Sequence, residues 1–252
     1  MIFYYSATGN TRYCAEYIAK SLGEKAVDLL QCNPDKTDVD REDSVGFMFP
    51  IYCWGVPPVV SRFIEAISAK IPLDSYLWAA CTCGDEAGMA MRRLGEHLAL
   101  KRGKEPDALF SIIMPNTYVL LPGFDVDKPL VRDEKLKLAP LRLNAVARII
   151  EARRTEVFDV KEGSVPVLRS ALFPVFEKWG VFPRRWKVSD ACIGCGKCAG
   201  VCPAKNIKMT RTKPEWGKTC YSCCACFHIC PQRAINYGKA TRNKSQYFCN
   251  LS

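Results

Sequence analysis

Cysteine residues in the last third of the chain form two copies of one pattern, C-x2-C-x2-C-x3-C-P. The second copy begins at Cys220, 28 residues after Cys192 begins the first. Three cysteines spaced in this way can bind three iron corners of one [4Fe–4S] cube, while the fourth, before proline, binds the other cube. The pattern therefore predicts two clusters, with the ligand sets Cys192, Cys195, Cys198, Cys230 and Cys220, Cys223, Cys226, Cys202.

Two other uses of these cysteines fit the pattern less well. Zinc ribbons hold their metal with two separated C-x2–4-C pairs, whereas four cysteines fall here within eleven residues. A disulfide framework is typical of secreted chains, and no secretory leader is recognisable before the first apolar run. We therefore expect iron–sulfur clusters and keep zinc as the alternative metal.

The start of the chain predicts a strand, a polar loop and a helix. The apolar run Met1–Tyr5 is followed by Ser6–Thr11 and then by apolar residues at helical spacing. A loop with hydroxyls and a glycine before a helix can bind an anion through backbone N–H groups and the helix dipole. The ATP-binding and dinucleotide-binding glycine patterns are absent. A phosphate site is therefore predicted, with a simple capped turn as the alternative.

This loop resembles the phosphate loop of the flavodoxins, [ST]-x-T-G-x-T, and Ser6–Thr11 fits every position. Flavodoxins bind FMN on a doubly wound α/β sheet of five parallel strands in the order 2-1-3-4-5. The resemblance implies this fold and FMN as a cofactor. The expected fold class is thus a flavodoxin-like α/β domain followed by a small α+β ferredoxin-like domain.

Two later loops fall where flavodoxins contact the flavin ring. One follows the predicted strand 44–49, and the other follows the predicted strand 75–81. Tyr52 and Trp54 offer stacking planes, although packing in an ordinary core stays possible. We expect Asp85 to lower the flavin potential. The resemblance implies FMN contacts from Ser6, Thr8, Gly9, Asn10, Thr11, Pro50, Tyr52, Trp54, Gly55, Thr82, Cys83, Gly84, Asp85 and Gly88.

The pattern of strands and helices divides the chain into three parts. Alternating strand and helix signals predict an FMN-binding domain over residues 1–158. A linker over residues 159–186 contains prolines and an apolar stretch that is expected to form a docking helix. The two-cluster domain, with a C-terminal tail, is predicted over residues 187–252. No residue is predicted to act as a proton-transfer catalyst or nucleophile.

The formal net charge of +10 does not by itself indicate nucleic-acid binding. Eight thiolates on two 2+ cubes would bring about −4 and an FMN phosphate about −2, so much of the excess offsets the cofactors. The remaining lysines and arginines could steer an acidic redox partner. No apolar run reaches the roughly 18 residues of a membrane span. We expect a cytoplasmic protein with redox partner proteins, without nucleic acid or a membrane span.

The second half resembles the bacterial two-cluster ferredoxins, and the whole chain resembles the flavodoxin–ferredoxin fusions of anaerobes. This resemblance implies an electron-transfer protein that relays low-potential electrons between FMN, two [4Fe–4S] clusters and external partners. An FMN-dependent reductase of a small molecule is the alternative, and a redox sensor without flavin is a third. A covered flavin pocket would favour the reductase, whereas an exposed ring edge would favour the carrier.

Overall fold

The computed structural model describes residues 1–179 and 183–251, and for Trp179 only the backbone. The contributions that we expected from Val181, Phe182 and the Trp179 side chain to the docking helix lie outside the described residues. No helix in the described ranges combines the length and apolar composition that a membrane crossing needs.

Six parallel strands form the sheet of the N-terminal region, in the order 2-1-3-4-5-6. The predicted order 2-1-3-4-5 is confirmed, and a sixth strand extends it at the edge beside β5. This strand was not predicted because it has three residues, two of them exposed. The strands are β1 (Ile2–Tyr4), β2 (Ala26–Asp28), β3 (Ser44–Pro50), β4 (Tyr76–Cys83), β5 (Ala108–Ile113) and β6 (Val157–Asp159).

Four helices cover the two faces of this sheet, and each face has its own apolar core. Helix α2 illustrates why they pack, since its buried residues Val60, Phe63, Ile64 and Ile67 recur at helical spacing. Each such side chain contributes about 1.5–3 kcal/mol by leaving water. The helices are α1 (Asn10–Leu22), α2 (Pro58–Ile67), α3 (Ala90–Arg102) and α4 (Pro129–Glu151).

The carboxyl ends of β1, β3, β4 and β5 meet at one edge of the sheet. The loops that follow these strands therefore come together there, as expected for a parallel sheet with a topological switch point. Two short helices of the linker, α5 (Pro166–Ser170) and α6 (Phe173–Trp179), follow β6. Contacts from α5 and from Phe173 reach these loops.

The cysteine-rich region is an internal repeat in structure as well as in sequence. Strand β7 (Trp186–Val188) pairs with β10 (Ile235–Tyr237), and β8 (Ile207–Met209) pairs with β9 (Pro214–Trp216). Helices α7 (Lys197–Gly200) and α8 (Ala225–His228) lie 28 residues apart, like β8 and β10 or β7 and β9. The two cysteine copies therefore have matching local structure.

Candidate functional site

The predicted phosphate loop surrounds the start of α1. Gly9 precedes this helix with φ 94°, a left-handed conformation that glycine adopts without steric cost. The Thr11 hydroxyl lies 2.7 Å from that of Thr82, and the Asn10 side chain donates to the Pro115 carbonyl over 2.9 Å. These bonds connect the loop to the ends of β4 and β5.

A cavity of about 100 Å³ lies beside this loop. Tyr118 and Asn116, from the loop after β5, also line it. The structure therefore brings three chain segments of the predicted FMN site together with the loop after β5. Nine of the residues that the sequence predicted line this cavity, namely Ser6, Thr8, Asn10, Thr11, Pro50, Tyr52, Thr82, Cys83 and Gly84.

A second cavity of about 290 Å³ adjoins the first, and Cys83 and Tyr118 belong to the walls of both. Trp54 and Asp85 line this second cavity, which extends under the linker residue Arg169. Together the two cavities reach the lower end of the roughly 300–1,000 Å³ typical of ligand pockets. The first alone is too small for a ligand of that class.

Three predicted FMN contacts line neither cavity. A Cβ at Gly9 would collide with the Cys249 carbonyl oxygen, and a Cβ at Gly55 would collide with the Phe173 ring. A Cβ at Gly88 would lie 2.6 Å from the Ser170 hydroxyl. These glycines therefore admit other segments of the chain, a role that sequence reasoning missed.

The linker holds the Trp54 loop in place. The Trp54 indole donates to Glu86 over 3.0 Å, and Arg169 pairs with the same carboxylate. The Ser170 hydroxyl donates to the Trp54 carbonyl over 3.1 Å and accepts from the Met89 amide over 2.8 Å. One helix of the linker thus bridges both predicted flavin loops.

Tyr52 faces the cysteine-rich region more than the second cavity. Its ring is edge-on to Tyr5, and the two hydroxyls lie 3.2 Å apart. Burial raises the pKa of Tyr52 well above its ordinary value, with the Tyr5 and Cys223 side chains adding to this shift. Tyr52 is therefore a neutral residue between the sheet and the second cysteine copy.

A polar network fixes the loop after β5. Asp127 accepts from the Asn116 amide over 3.0 Å and from the Lys135 ammonium over 2.7 Å. The Asn116 side chain also donates to Asp85 over 3.2 Å. Burial alone would raise the pKa of Asp127, but the hydrogen bonds from Lys135 and Asn116 outweigh it and lower that pKa. The Lys135 ammonium also lies 3.5 Å from the Asp85 carboxylate, and this positive charge moderates the expected effect of Asp85 on a flavin.

The walls of the two cavities have groups that fit FMN. The Tyr118 hydroxyl is buried, and no partner for it occurs among the described residues. It belongs to the walls of both cavities, where a polar group of a ligand could satisfy it. Ser6, Thr8 and Thr11 supply hydroxyl donors at a helix N-terminus, the chemistry that a phosphate requires.

Cys192, Cys195, Cys198 and Cys230 line a single recess. This is the first predicted ligand set, in which the fourth cysteine comes from the second copy. Cys195 is exposed, and the side chain of Ile193 beside it is 64% exposed. The recess therefore opens to solvent.

The second predicted set adjoins the predicted FMN site. Ser222 and Cys223 form part of the wall of the first cavity. The Trp186 indole N–H is buried with no partner in the part of the chain that the structure describes, and it lies near Cys220. The Trp216 indole is likewise unpartnered, near Cys226. Unpartnered indole donors beside cysteines fit a cluster, because cluster sulfurs would accept hydrogen bonds that tune its potential.

The repeat extends to hydrogen bonds on sulfur. The Asn206 amide donates to the Cys202 sulfur over 3.4 Å, and the Ala234 amide donates to the Cys230 sulfur over 3.3 Å. Within residues 1–179 and 183–251, no three Cys, His, Asp or Glu side chains gather as they would around one ion. A cube needs no such gathering, because each of its four ligand sulfurs binds a different iron.

His228 connects three segments. Its Nδ1 accepts from the Tyr247 amide over 3.2 Å, so the proton lies on Nε2, which donates to the Thr117 carbonyl over 2.7 Å. Burial lowers the pKa of His228 to about 4, which keeps the ring neutral. His228 thus holds α8 against the loop after β5.

Sequence reasoning missed one segment near the site. Residues 244–249, here called the closing segment, run from the loop after β5 to the phosphate loop. The segment has no strand or helix, so no periodic pattern indicated its position. Its tyrosine and cysteine were the only residue types that could have suggested a role.

Family comparisons match two parts of the chain. Residues 1–111 match the model of the flavodoxin domain, and residues 186–208 match that of the 4Fe-4S binding domain. The second match covers the first cysteine copy as far as β8. No curated protein sequence matches the chain.

Several solved structures resemble the chain at low identity. Rubredoxin oxygen:oxidoreductase from the anaerobe Desulfovibrio gigas is 18% identical, with TM-score 0.41, over 60% of this chain and 36% of its own. A flavodoxin from the domain Archaea is 13% identical, with TM-score 0.35, over 58% and 96%. A WrbA-like flavodoxin from Agrobacterium tumefaciens is 18% identical, with TM-score 0.38, over 61% and 97%. The chain thus spans little more than a third of the Desulfovibrio protein.

The sheet order and the two family matches agree with the resemblance drawn from the phosphate loop and the cysteine spacing. A flavodoxin domain indicates FMN, and a 4Fe-4S motif indicates an iron–sulfur cluster. The chain therefore combines a flavodoxin domain with a 4Fe-4S binding motif, and domains of these two kinds support a role in redox electron transfer.

Proposed function

We propose that the protein relays electrons within one chain between FMN and two [4Fe–4S] clusters. One observation carries this proposal, since Cys223 and the Ser6–Thr11 loop line the same cavity. A ligand of the second cluster would thus lie in the wall of the flavin site. FMN accepts one or two electrons, whereas each cluster carries one, so the pair converts between the two kinds of transfer.

The residues that would hold FMN are those of the two cavities. The hydroxyls of Ser6, Thr8 and Thr11 would donate to the phosphate, together with backbone N–H groups of α1. Trp54 and Tyr118 would enclose the ring from the loops after β3 and β5. Asp85, Asn116 and the backbone at Gly84 would meet its polar edge.

Two clusters in series, one inner and one outer, would match the two cysteine copies. The set Cys202, Cys220, Cys223 and Cys226 would be the inner cluster, and the set that contains Cys195 would be the outer one. Both copies have the same helix, the same strand and the same amide-to-sulfur bond, which supports two clusters rather than one. The exposed outer recess is where a redox partner protein would exchange electrons.

An anaerobic reconstitution tests this proposal. Protein loaded with iron, sulfide and FMN should contain about eight irons and one FMN per chain. After rapid reduction of the flavin, cluster reduction should proceed at a rate independent of protein concentration, because both centres lie in one chain. A rate proportional to protein concentration, or about four irons in fully loaded protein, would contradict the relay.

A second candidate function rests on the larger cavity. If FMN leaves part of it free, Arg169 and the apolar side chains of Leu121, Leu172 and Phe176 could bind a small anionic substrate there. The protein would then be an FMN-dependent reductase supplied by its own clusters. Substrate-dependent oxidation of the reduced flavin, abolished by an Arg169→Gln change, would favour this candidate.

A further inference from the structure

The closing segment lies directly on the phosphate loop. The Cys249 amide donates to the Thr8 carbonyl over 2.8 Å, and the Tyr247 hydroxyl donates to Asn10 Oδ1 over 3.0 Å. Gly9 leaves no room for a side chain against the Cys249 carbonyl. The two segments thus touch backbone to backbone, and nothing fits between them.

The same segment is attached to the second cysteine copy. The Tyr247 amide donates to His228, and the Gln246 side chain donates to the Cys230 carbonyl over 3.1 Å. At its start, the Lys244 ammonium donates to the carbonyls of Val119, Leu121 and Phe124, each over 2.6 Å. Residues between Lys244 and Cys249 therefore connect α8, the loop after β5 and the phosphate loop.

Asn10 depends on this attachment for its orientation. Its Nδ2 donates to the Pro115 carbonyl and its Oδ1 accepts from Tyr247, so both ends of the amide are fixed. Asn10 is buried in the wall of the first cavity. Loss of the Tyr247 hydroxyl would free one end of an amide that borders the expected phosphate position.

We propose that the closing segment forms the outer wall of the FMN phosphate site, with Tyr247 as a positioning residue, and that it couples FMN retention to the second cluster. This inference rests on the proposed FMN site. Helix α8 has only four residues and contains the predicted ligand Cys226, and a helix so short depends on its surroundings for stability. Cluster ligation would stabilise α8, and α8 holds the closing segment on the loop.

Release of FMN from fully loaded protein tests the wall. The rate is measured by the recovery of free flavin fluorescence in the wild type, Tyr247→Phe and a variant ending at Ser245. Loss of one hydrogen bond predicts roughly threefold to tenfold faster release for Tyr247→Phe. The variant ending at Ser245 should release FMN faster still.

Tyr17→Phe is the matched control. Like Tyr247, Tyr17 donates its hydroxyl to an asparagine side chain, that of Asn144, over 3.0 Å. Tyr17 lies on α1, away from the phosphate loop. It should leave FMN release unchanged. Equal release rates for the wild type, Tyr247→Phe and the variant ending at Ser245 would overturn the inference.

A second measurement tests the coupling. Anaerobic removal of the iron with a chelator should accelerate FMN release in the full chain, and should do so much less in the variant ending at Ser245. Equal acceleration in both proteins would overturn the coupling, because the effect would then pass through Cys223 in the cavity wall. A wild type that binds no FMN would instead contradict the proposed function, so the two failures are distinguishable.

Discussion

The two cysteine copies have the same backbone conformation but different surroundings. Equivalent residues adopt the left-handed conformation in both, at Gly194 and Ser222 and again at Gly196 and Cys224. The first copy uses glycine at both positions, whereas the second uses residues with side chains. Because a left-handed non-glycine residue costs about 1–2 kcal/mol, the second copy is under more backbone strain.

The contacts of the second copy explain why it retains those side chains. Ser222 lines the first cavity and Cys224 is buried, while Ala225 packs fully buried in the core of the flavodoxin domain. In the first copy, Ile193 and Cys195 are exposed instead. Cysteine spacing thus predicts the cofactor, and the residues between the cysteines determine which copy faces the predicted FMN site.

The largest expected difference concerns the ligands themselves. Cys223→Ala and Cys195→Ala should each remove about four of about eight irons per chain, because each breaks one cluster. Only Cys223→Ala should abolish electron transfer between FMN and the remaining cluster, since in the proposed relay it is the inner cluster that adjoins the flavin. Iron analysis and rapid-mixing absorbance measure both effects. Equal loss of transfer in both variants would remove the distinction between inner and outer cluster.

Exchanging residues at equivalent positions should also have unequal effects. Ala225 is completely buried, and its counterpart Lys197 is exposed. Ala225→Lys would bury an unpaired charge and should lower the free energy of unfolding by about 3 kcal/mol or more. Lys197→Ala should change it by no more than about 0.5 kcal/mol. Anaerobic chemical denaturation of the loaded protein provides the measurement, and an unchanged midpoint for Ala225→Lys would be inconsistent with the packing described.

Backbone strain predicts a smaller difference. Gly196 has φ 71° and no atom within 4 Å of an added Cβ, so Gly196→Ala should cost about 1–2 kcal/mol through its backbone alone. Cys224→Gly should cost less, because relief of strain offsets the lost packing of a buried thiol. The free energies of unfolding of the two variants test this order. A neutral Gly196→Ala would show that the first loop can adopt another conformation.

The smallest effect concerns pH and the loop after β5, which accepts a hydrogen bond from His228 of the second copy. The pKa of Asp127 is lowered in the folded state, so this carboxylate stabilises the fold above the ordinary value of about 3.9. Its contribution is lost as the pH falls through the lowered pKa. Asp127→Asn should be less stable than the wild type at pH 6 and should approach it below pH 4.

Denaturation curves between these pH values give the comparison. Asp133→Asn, at an exposed residue of α4, is the control and should follow the wild type throughout. A constant difference between Asp127→Asn and the wild type at every pH would show that the lost interaction does not depend on ionisation.

Short sequence patterns predicted the strand order of the sheet and the grouping of the cysteines well. The Ser6–Thr11 loop, through its resemblance to the flavodoxins, predicted the order of five strands. The cysteine spacing predicted a ligand set whose four members, Cys230 included, line one recess. These features depend on short segments whose residues specify their own geometry. The FMN contacts and the domain boundaries stay predictions.

Contacts between distant segments were not predictable in the same way. Nothing near Gly9 indicates that Cys249 will lie against it, and nothing near Trp54 indicates Arg169 or Ser170. Such pairs form because the whole fold brings them together, and neither partner has a periodic pattern. The same holds for β6, whose three residues gain stability only by extending an existing sheet.

The pairing of β7 with β10 has a consequence for synthesis. The two strands are separated by nearly fifty residues, which contain both helices and all eight predicted ligands. On the ribosome, where N-terminal domains fold first, the flavodoxin sheet can form while β7 still lacks its partner. The fold of the cysteine-rich region therefore stays incomplete until residues 235–237 have emerged, and its thiols remain more accessible for cluster insertion until then.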